Sequence, residues 1–413
     1  MLYERWRQIA NERKGEFALH DIASGRRWTF AELLTAGEAR SVSGPIVFPT
    51  GQSPEFILDV LAAWREDLVV QPLESGQTAQ PVPLPPKGCI HLKSTSATSG
   101  VARHVAFTGA QLFADAENIV ATMGLRADWP NLGVISMAHS YGFSNLVLPL
   151  LLHGIPLVIA ASALPEGIRQ AAQTQKSITL PAVPALWRAW HDASAIPKNA
   201  RLGISAGAPL PLGLERNVFD QIGFKIHNFY GASECGGIAY DSSEIPRDDA
   251  SCVGAPLVGV TVDLENETGL VVRGAAVGET YWPEKSPLLG NGEFHSGDLV
   301  GLTNGVVYLR GRGGDQINIA GRKVSPESIE RELLAHPRVR ECLVFGAPDA
   351  NEHRAENIVA VVVSDASESE LRDFLLNRVP AWQVPREWRF VDSMPVNHRG
   401  KISRAEWRRN TSS

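Results

Sequence analysis

Cysteine is scarce in this sequence, and its four copies lie far apart. They are Cys89, Cys235, Cys252 and Cys342 in a chain of 413 residues, and no two of them form a C-x-x-C pair. Structural zinc sites and disulfide frameworks both need cysteines that are closely spaced or numerous. We therefore expect neither kind of site, and the cysteine content favours a reducing compartment.

The sequence also lacks a charged tail and a long hydrophobic run. The net charge of −6 comes from 45 acidic and 39 basic side chains scattered along the chain, which argues against a nucleic-acid partner held by a basic surface. The longest apolar stretch, residues 146–152, is too short to cross a bilayer. The first residues are charged and do not have the apolar core of a signal peptide. We expect a cytoplasmic protein without a membrane span.

Short apolar runs alternate with helix-length segments over most of the first 255 residues. Buried strands are predicted at residues 134–137, 156–160, 202–205 and 225–229, and helices at residues 111–123, 165–175 and 184–193. This alternation is typical of α/β proteins with parallel sheets. A proline-rich segment, residues 76–88, is predicted to be a connector. The predicted fold class is α/β.

The pattern changes twice in the second half of the chain. Short strands separated by turn residues predict a β-meander at residues 260–264, 270–273, 298–302 and 306–310. Beyond Gly314 the sequence predicts helices at residues 326–335 and 368–377 and strands at residues 341–345 and 358–363. Gly313 and Gly314 tolerate unusual backbone angles and suit a hinge. We predict a large domain, 1–312, with a β-barrel-like subdomain at about 255–312, and a small, mobile α+β domain, 315–413.

The strongest local signal for chemistry is the segment 94–104, which follows a predicted strand at residues 89–93. It offers backbone and hydroxyl donors from small residues, and the Arg103 side chain can bond a phosphate through two N–H groups. Neither a Walker A motif nor a G-x-G-x-x-G motif is present. From composition alone, a Ser/Thr-rich surface loop is the alternative to a phosphate-binding loop.

Six motifs in a fixed order decide between these alternatives. They are T-S-A-T-S-G-V-A-R at 95–103, S-A-G-A-P-L at 205–210, N-F-Y-G-A-S-E at 228–234, F-H-S-G-D at 294–298, G-R-G-G-D-Q-I-N-I-A-G-R-K-V at 311–324, and P-V-N-H-R-G-K-I-S-R at 395–404. Together they resemble the motifs of the adenylate-forming superfamily, which includes acyl- and aryl-CoA synthetases, peptide synthetase adenylation domains and firefly luciferase. The resemblance covers about residue 90 to the end.

The resemblance implies an ATP and AMP site. Glu234 is implied as the ligand of Mg²⁺, which prefers oxygen ligands, and Asp298 as the acceptor of two ribose hydroxyl groups, with Arg312 beside it on ribose or phosphate. Phe229 and Tyr230 are implied to face the adenine. The remaining implied nucleotide-binding residues are Thr95, Ser96, Thr98, Ser99, Gly100, Arg103, Gly207, Ala208, Pro209, Asn228, Gly231 and Ser233.

The resemblance also implies residues on the side of the acid. His139, Gly231 and Gly237 are expected to border the acyl pocket, although a single histidine after a strand is more often structural. Lys401 is expected to contact the α-phosphate and the substrate carboxylate, so that a cation offsets the repulsion between two negative groups. We expect Gly236 and Gly237 to leave room near the adenylate.

The sequence departs from the family pattern at several positions. Ala97 stands for glycine and Ala102 for proline in the phosphate loop, and Arg103 stands for lysine. Gly314 replaces the Asp or Lys of many relatives at the hinge, which makes rotation easier, and Asn318 replaces a lysine. The phosphate loop begins near residue 94, closer to the N-terminus than in most relatives, so we expect a trimmed N-terminal subdomain.

These expectations combine into a two-step ligase. A carboxylic acid, aryl or acyl, reacts with Mg²⁺-bound ATP to form an acyl-adenylate and pyrophosphate, and the acyl group then passes to a thiol. Coenzyme A is the expected acceptor. The first alternative is the phosphopantetheine arm of a separate carrier protein acting in trans, and the second is a catalytically silent nucleotide-binding regulatory module.

Overall fold

The structure, a computed structural model, describes residues 1–95, 103–266, 268–319, 322–348, 356–394 and 404–409. Five predicted site residues lie outside these ranges: Ser96, Thr98, Ser99, Gly100 and Lys401. The α-helices are α1 (Leu2–Glu12), α2 (Phe30–Ala39), α3 (Pro54–Arg65), α4 (Gly109–Met123), α5 (Ser140–Gly142), α6 (Leu148–His153), α7 (Pro165–Gln173), α8 (Pro184–Asp192), α9 (Leu212–Ile222), α10 (Pro326–Leu334), α11 (Glu368–Leu376) and α12 (Arg404–Arg409).

The strands divide into three groups along the chain. The first group is β1 (Phe17–Asp21), β2 (Arg27–Thr29), β3 (Ile46–Val47), β4 (Val69–Val70), β5 (Cys89–Ser94), β6 (His104–Thr108), β7 (Asn131–Gly133), β8 (Leu157–Ile159), β9 (Ile178–Ala182), β10 (Ala200–Ser205), β11 (Ile226–Ala232), β12 (Gly236–Tyr240) and β13 (Cys252–Pro256). The second is β14 (Val260–Glu265), β15 (Gly269–Gly274), β16 (Thr280–Trp282), β17 (Leu289–Gly290), β18 (Glu293–Thr303) and β19 (Val306–Arg312). The third is β20 (Ile317–Ile319), β21 (Arg322–Val324), β22 (Val339–Pro348), β23 (Glu356–Ser364) and β24 (Glu387–Phe390).

One long sheet joins the parallel part of the chain to the β-meander. Its order is β14-β15-β18-β19-β13-β12-β11-β10-β9-β7-β8-β1-β2, with β17 paired to β18. The strands β8, β7, β9, β10 and β11 run parallel, and the sheet becomes antiparallel where β11 pairs with β12. The predicted α/β fold is confirmed, and the meander is continuous with the parallel strands.

A second sheet places part of the meander beside the phosphate loop. Its order is β16-β6-β5-β4-β3, and β16 pairs antiparallel with β6. The hairpin β5–β6 carries the predicted phosphate loop at its turn. Because β16 follows β15 in the chain, this pairing brings residues 280–282 next to that hairpin.

The C-terminal residues have a hydrophobic core of their own. It includes Ile317, Ile329, Val344, Val362 and Leu371, and it forms around the sheet β22-β23-β24 with α10 and α11. A short 3₁₀ turn, Gly313–Asp315, lies between this unit and β19. The domain boundary and the hinge at Gly314 stay predictions. Among the described residues, no helix combines the length and the apolar character that crossing a bilayer requires.

Most predicted elements are found within a few residues of their predicted bounds, but the strand predicted at residues 134–137 is wrong. The strand there is β7, which ends at Gly133. The Gly133 carbonyl accepts hydrogen bonds from the Ala160 backbone N–H, at 3.1 Å, and from Gln52 Nε2, at 2.7 Å, after which the chain leaves the sheet and turns towards α5. Val134, Ile135 and Met137 are buried, and burial alone does not distinguish a strand from a turn.

A buried network of charges holds the segment that follows β10. Arg247 Nε donates to Glu215 Oε2 at 2.9 Å, and Arg247 Nη2 donates to the Leu210 carbonyl at 2.9 Å. Lys225 Nζ donates to Glu215 and, at 2.7 Å, to Asp241 Oδ2. All four charged side chains are buried. Leu210 ends the predicted adenine segment, so this network ties that segment to α9.

We predict that Arg247→Met lowers the free energy of unfolding by about 3–5 kcal/mol, because it leaves Glu215 buried with one of its two cationic partners missing. Urea unfolding followed by circular dichroism measures this change. Arg126→Met is the control, because Arg126 pairs with Asp128 on the surface and should leave the midpoint unchanged. Equal midpoints for Arg247→Met and the wild type would contradict the stabilising role of the network.

Candidate functional site

The ends of the phosphate loop are held side by side at the turn of the β5–β6 hairpin. The Thr95 backbone N–H donates to the Arg103 carbonyl at 2.8 Å, and the Thr95 hydroxyl donates to the same oxygen at 3.1 Å. One step further back, Ser94 pairs with His104 across the hairpin. The four loop residues Ser96, Thr98, Ser99 and Gly100 lie outside the described residues, so their contact with phosphate stays a prediction.

A chain of contacts runs from this loop to Glu234. The Arg103 guanidinium lies 6.0 Å from the centre of the Tyr281 ring, and the Tyr281 hydroxyl donates to Glu234 Oε1 at 3.1 Å. The Gly278 backbone N–H donates to the Glu234 carbonyl at 2.8 Å. Burial raises the pKa of the Glu234 carboxyl above its ordinary value, and the hydrogen bond from Tyr281 and the charge of Arg312 act in the opposite direction.

A second group is built on Asp298. The register of β18 and β19 places Asp298 opposite Arg312, and Arg312 Nε donates to Asp298 Oδ1 at 2.9 Å. The Tyr230 hydroxyl, from β11, donates to Asp298 Oδ2 at 2.5 Å. Burial raises the pKa of the Tyr230 phenol well above its ordinary value, and the charge of Asp298 adds to this effect. The phenol therefore remains a hydrogen-bond donor at neutral pH.

These two groups are linked through β11 and the turn that follows it. Tyr230 on β11 bonds to Asp298, and Glu234 in the turn between β11 and β12 accepts from Tyr281. The structure thus connects the neck of the phosphate loop to Glu234 through Tyr281, and Asp298 and Arg312 to β11 through Tyr230. The loop, Glu234, Asp298 and Arg312 come from four separate motifs of the sequence.

The predicted adenine segment lies at the carboxyl end of β10. Gly207, Ala208 and Pro209 are exposed there, and Gly207 has a φ of 86°, which favours glycine. Ligands of open parallel sheets bind at this end of the strands. On the neighbouring strand, Asn228 pairs with Ser205 and donates from Nδ2 to the Cys252 carbonyl at 3.2 Å.

Two further residues that were predicted to bind the nucleotide, Ser233 and Phe229, differ in how deeply they are buried. Ser233 is half-buried in the turn between β11 and β12. Phe229 is buried and packs against Tyr141, with ring centres 5.9 Å apart, whereas its neighbour Tyr230 bonds to Asp298. The structure does not bring Phe229 to the Asp298 group, so its contact with adenine stays a prediction.

On the predicted acid side, His139 immediately precedes α5. Its Nε2 lies 3.8 Å from Oε1 of Glu74, and the Ser136 hydroxyl donates to Glu74 Oε2 at 2.8 Å. The spacing H-x-x-G has a steric reason, because a Cβ at Gly142 would lie 1.9 Å from the Ser136 carbonyl oxygen. The chain can therefore enter the helix next to His139 only with glycine at position 142.

The glycines of the β11–β12 hairpin do not leave the room that we expected from the sequence. A Cβ at Gly231 would lie 2.6 Å from the Gly236 carbonyl oxygen, and a Cβ at Gly237 would lie 2.4 Å from Leu257 Cδ2. A Cβ at Gly236 would lie 2.0 Å from Asp115 Oδ1. These glycines are needed because neighbouring groups pack directly on the backbone.

Sequence reasoning missed two residues, Tyr281 beside Glu234 and Glu74 beside His139. Neither stands in a recognisable motif. Tyr281 reaches Glu234 only because β16 pairs with β6, and Glu74 reaches Ser136 only because the chain after β4 passes the end of β7. Both are contacts between segments far apart in sequence, for which local pattern carries no signal.

Comparison with known families identifies the family of this chain. The model of the family described as AMP-binding enzyme matches residues 49–282, more than half of the chain, and the model of the AMP-binding enzyme C-terminal domain matches residues 328–401. The chain belongs to the AMP-binding enzyme family. The membership predicted from the six motifs is confirmed.

Individual relatives of this AMP-binding enzyme agree with the assignment. A feruloyl-CoA synthase from Amycolatopsis sp is 27% identical over 343 residues, which cover 77% of this chain and 69% of that protein. ATP-bound MatB from Rhodopseudomonas palustris has a TM-score of 0.85 at 21% identity, covering 99% of this chain and 98% of that one. MenE from Bacillus subtilis, an O-succinylbenzoate coenzyme A synthetase in complex with ATP and a magnesium ion, has a TM-score of 0.81 at 22% identity, covering 97% of this chain and 98% of that one. The two structures show the shared fold, and the prediction of an AMP-forming acid–thiol ligase agrees with the named relative.

We predict that Asp298→Asn raises the KM for ATP by about ten- to a hundredfold, because the substitution removes a charged acceptor of hydrogen bonds worth about 1.5–3 kcal/mol. Steady-state kinetics with varied ATP measures the change. Asp263→Asn is the matched control, since Asp263 lies exposed in the same meander, paired with Arg273. A folded Asp298→Asn protein with the wild-type KM would exclude Asp298 from the nucleotide site.

Proposed function

We propose that this AMP-binding enzyme activates a carboxylic acid with ATP as an acyl-adenylate and then transfers the acyl group to the thiol of coenzyme A. One observation carries the proposal: Tyr230 of β11 bonds to Asp298, which pairs with Arg312, while Glu234 in the turn after β11 accepts from Tyr281 beside Arg103. These residues offer acceptors for ribose hydroxyl groups and cations for phosphate oxygens.

The nucleotide would extend across the carboxyl ends of β10 and β11. The exposed backbone at Gly207 and Ala208 offers the adenine a flat surface next to polar backbone groups. Asp298 is placed to accept hydrogen bonds from the ribose hydroxyl groups. Arg312 holds the carboxylate in position, because its Nε donates to Asp298 Oδ1 at 2.9 Å. The triphosphate then extends towards Arg103, whose guanidinium attracts the phosphate charge, and towards Glu234, whose carboxylate needs Mg²⁺ between it and the phosphate oxygens.

Glu234 has the chemistry of a magnesium ligand. Its carboxylate supplies the oxygen atoms that a hard cation prefers, and burial raises its pKa in the absence of such a cation. A divalent cation beside it reverses that effect and favours the ionised carboxylate. Bound there, Mg²⁺ would offset the charge of the phosphate oxygens. Tyr281 orients the carboxylate through its hydrogen bond to Oε1.

In the first step an oxygen of the acid carboxylate attacks the α-phosphorus of ATP. The new P–O bond forms as the bond from the α-phosphorus to the bridging oxygen breaks, and pyrophosphate leaves with that electron pair. Two anions must approach each other, so the barrier depends on fixed cations and N–H donors. We assign this role to Arg103, to the loop amides and to Lys401, which comes from the C-terminal domain.

In the second step the sulfur of the thiol, deprotonated as it reacts, attacks the carbonyl carbon of the mixed anhydride. A thioester forms, the C–O bond to AMP breaks, and AMP leaves with the electron pair. The same cleft serves both steps if the C-terminal domain, 315–413, turns about the hinge at Gly314. A Cβ at Gly314 would contact none of the described atoms within 4 Å, which suits a residue that changes its backbone angles.

Coenzyme A is the proposed acceptor, and a carrier protein is the alternative. The named relative is a CoA ligase, which supports coenzyme A. A phosphopantetheine arm presents the same thiol, so the chemistry of the site does not separate the two. A catalytically silent regulatory module is a further alternative that predicts ATP binding without chemistry.

We predict that a panel of aryl and aliphatic acids releases pyrophosphate from ATP for at least one acid, because the cleft holds the groups that the reaction needs. A coupled pyrophosphate assay measures release, and mass spectrometry with coenzyme A or with a loaded carrier protein identifies the acceptor. ATP binding with no pyrophosphate for any acid would favour the regulatory module. Thioester on the carrier protein alone would replace coenzyme A as the acceptor.

We predict that Lys401→Ala slows adenylate formation by about two to three orders of magnitude, the usual cost of one preorganised group at a developing charge. Exchange of labelled pyrophosphate into ATP measures this step. Transfer from a presupplied acyl-adenylate to coenzyme A should stay close to the wild-type rate, since Lys401 acts in the first step. Lys198→Ala, at an exposed position after α8, is the control. An unchanged exchange rate in Lys401→Ala would reject its role.

A further inference from the structure

The space available to the acid is bounded by the hairpin β11–β12. Its turn carries Glu234, between Gly231 on one side and Gly236 and Gly237 on the other. On the proposed function, an acid that attacks a nucleotide held by Asp298 and Glu234 lies close to this hairpin. How long the acid can be depends on what packs against β12.

One face of β12 is covered by aromatic and aliphatic side chains. At Gly237, Leu257 Cδ2 lies 2.4 Å and the edge of the Phe229 ring about 3 Å from the position of a Cβ. Leu257 is only 2% exposed and Phe229 only 6%. The two belong to a hydrophobic cluster with Ile204, Ala206 and Tyr240.

Tyr141 completes this barrier from the helix side. It stands two residues after His139, and its ring centre lies 5.9 Å from that of Phe229. Its hydroxyl donates to the Ile204 carbonyl at 3.2 Å, which fixes the ring between α5 and β10. Tyr141 therefore packs against the hairpin at the level of Phe229.

The other face of β12 is covered by a buried ion pair. Asp115 lies against Gly236, and its Oδ1 accepts from the Gly237 backbone N–H at 3.2 Å. Lys93 Nζ lies 3.4 Å from Asp115 Oδ2, and the Ser144 hydroxyl donates to the same oxygen at 2.6 Å. Both charged side chains are at most 3% exposed. A substrate chain cannot displace them without leaving a buried charge unpaired, which is strongly unfavourable.

With both faces of β12 covered, we propose that the acid pocket is short and that the protein activates small aliphatic acids, of the size of acetate to butyrate, in preference to medium-chain acids or phenylpropenoic acids. This inference rests on the proposed function and specifies its substrate class. Phe229 and Leu257 set the limit on length, with Tyr141 behind them.

The test compares kcat/KM for acetate, propionate, butyrate, hexanoate, octanoate, benzoate and 4-hydroxyphenylpropenoate in the pyrophosphate assay. We expect the wild type to use the small acids and to lose about tenfold or more for each methylene beyond the limit, the usual discrimination of an apolar pocket. Phe229→Ala and Leu257→Ala should each raise kcat/KM for hexanoate by at least about tenfold relative to butyrate by the same reasoning, and Leu257→Ala should leave the KM for ATP unchanged.

Phe224→Ala is the matched control. It removes the same ring from a partly buried site behind β10, where Phe224 packs against Trp187, so it reports the effect of general loosening and should not change the preference for length. A shift in Phe224→Ala equal to that in Phe229→Ala would overturn the assignment of the limit to Phe229.

The outcomes separate the inference from the function on which it rests. Wild-type activity on octanoate or 4-hydroxyphenylpropenoate equal to that on butyrate would overturn the short pocket and leave the proposed function standing. Absence of pyrophosphate with every acid would reject the proposed function itself. If neither enlarged variant folds, the wild-type profile alone decides, because the limit on length is a property of the unchanged protein.

Discussion

The hydrogen bonding of β11 to both of its neighbours positions the whole candidate site. β11 runs parallel to β10 and antiparallel to β12, so it belongs to both parts of the long sheet. It therefore carries Tyr230 towards Asp298 in the meander while Asn228 stays in register with Ser205 at the carboxyl end of β10. Neighbouring strands lie about 4.8 Å apart, so the predicted adenine segment after β10 lies one strand away from Tyr230 on β11.

Two tyrosine side chains orient the acidic residues of the candidate site. The Tyr230 hydroxyl bonds to Asp298 and the Tyr281 hydroxyl bonds to Glu234, at 2.5 Å and 3.1 Å. Burial raises the pKa of both phenols, so each remains a donor to a carboxylate. The two acidic side chains are thus held in fixed orientations, as the proposed function requires. Preorganised polar groups of this kind lower a barrier without reorganising during the reaction.

Glycine is required on β12 because neighbouring side chains pack directly on the backbone, and not because a ligand needs space there. Gly236 and Gly237 allow Asp115, Leu257 and Phe229 to approach the backbone directly. From the sequence alone, a glycine pair beside the turn that carries Glu234 is compatible with an open pocket and with close packing. The choice depends on side chains that come from α4 and from the segment after β13, far away in sequence, and here those side chains fill the space.

The amino-acid sequence was sufficient to predict β10, β11, the meander and the order of the predicted phosphate, adenine and ribose segments. Each of these features depends on residues that lie a few positions apart. The end of β7 at Gly133, the contact of Tyr281 with Glu234 and the covering of β12 could not be predicted in this way. They follow from pairings such as β16 with β6 and from a buried ion pair, Lys93–Asp115, whose partners are 22 residues apart. Local patterns record burial and turn chemistry, whereas which buried surfaces meet is decided only when the chain is packed.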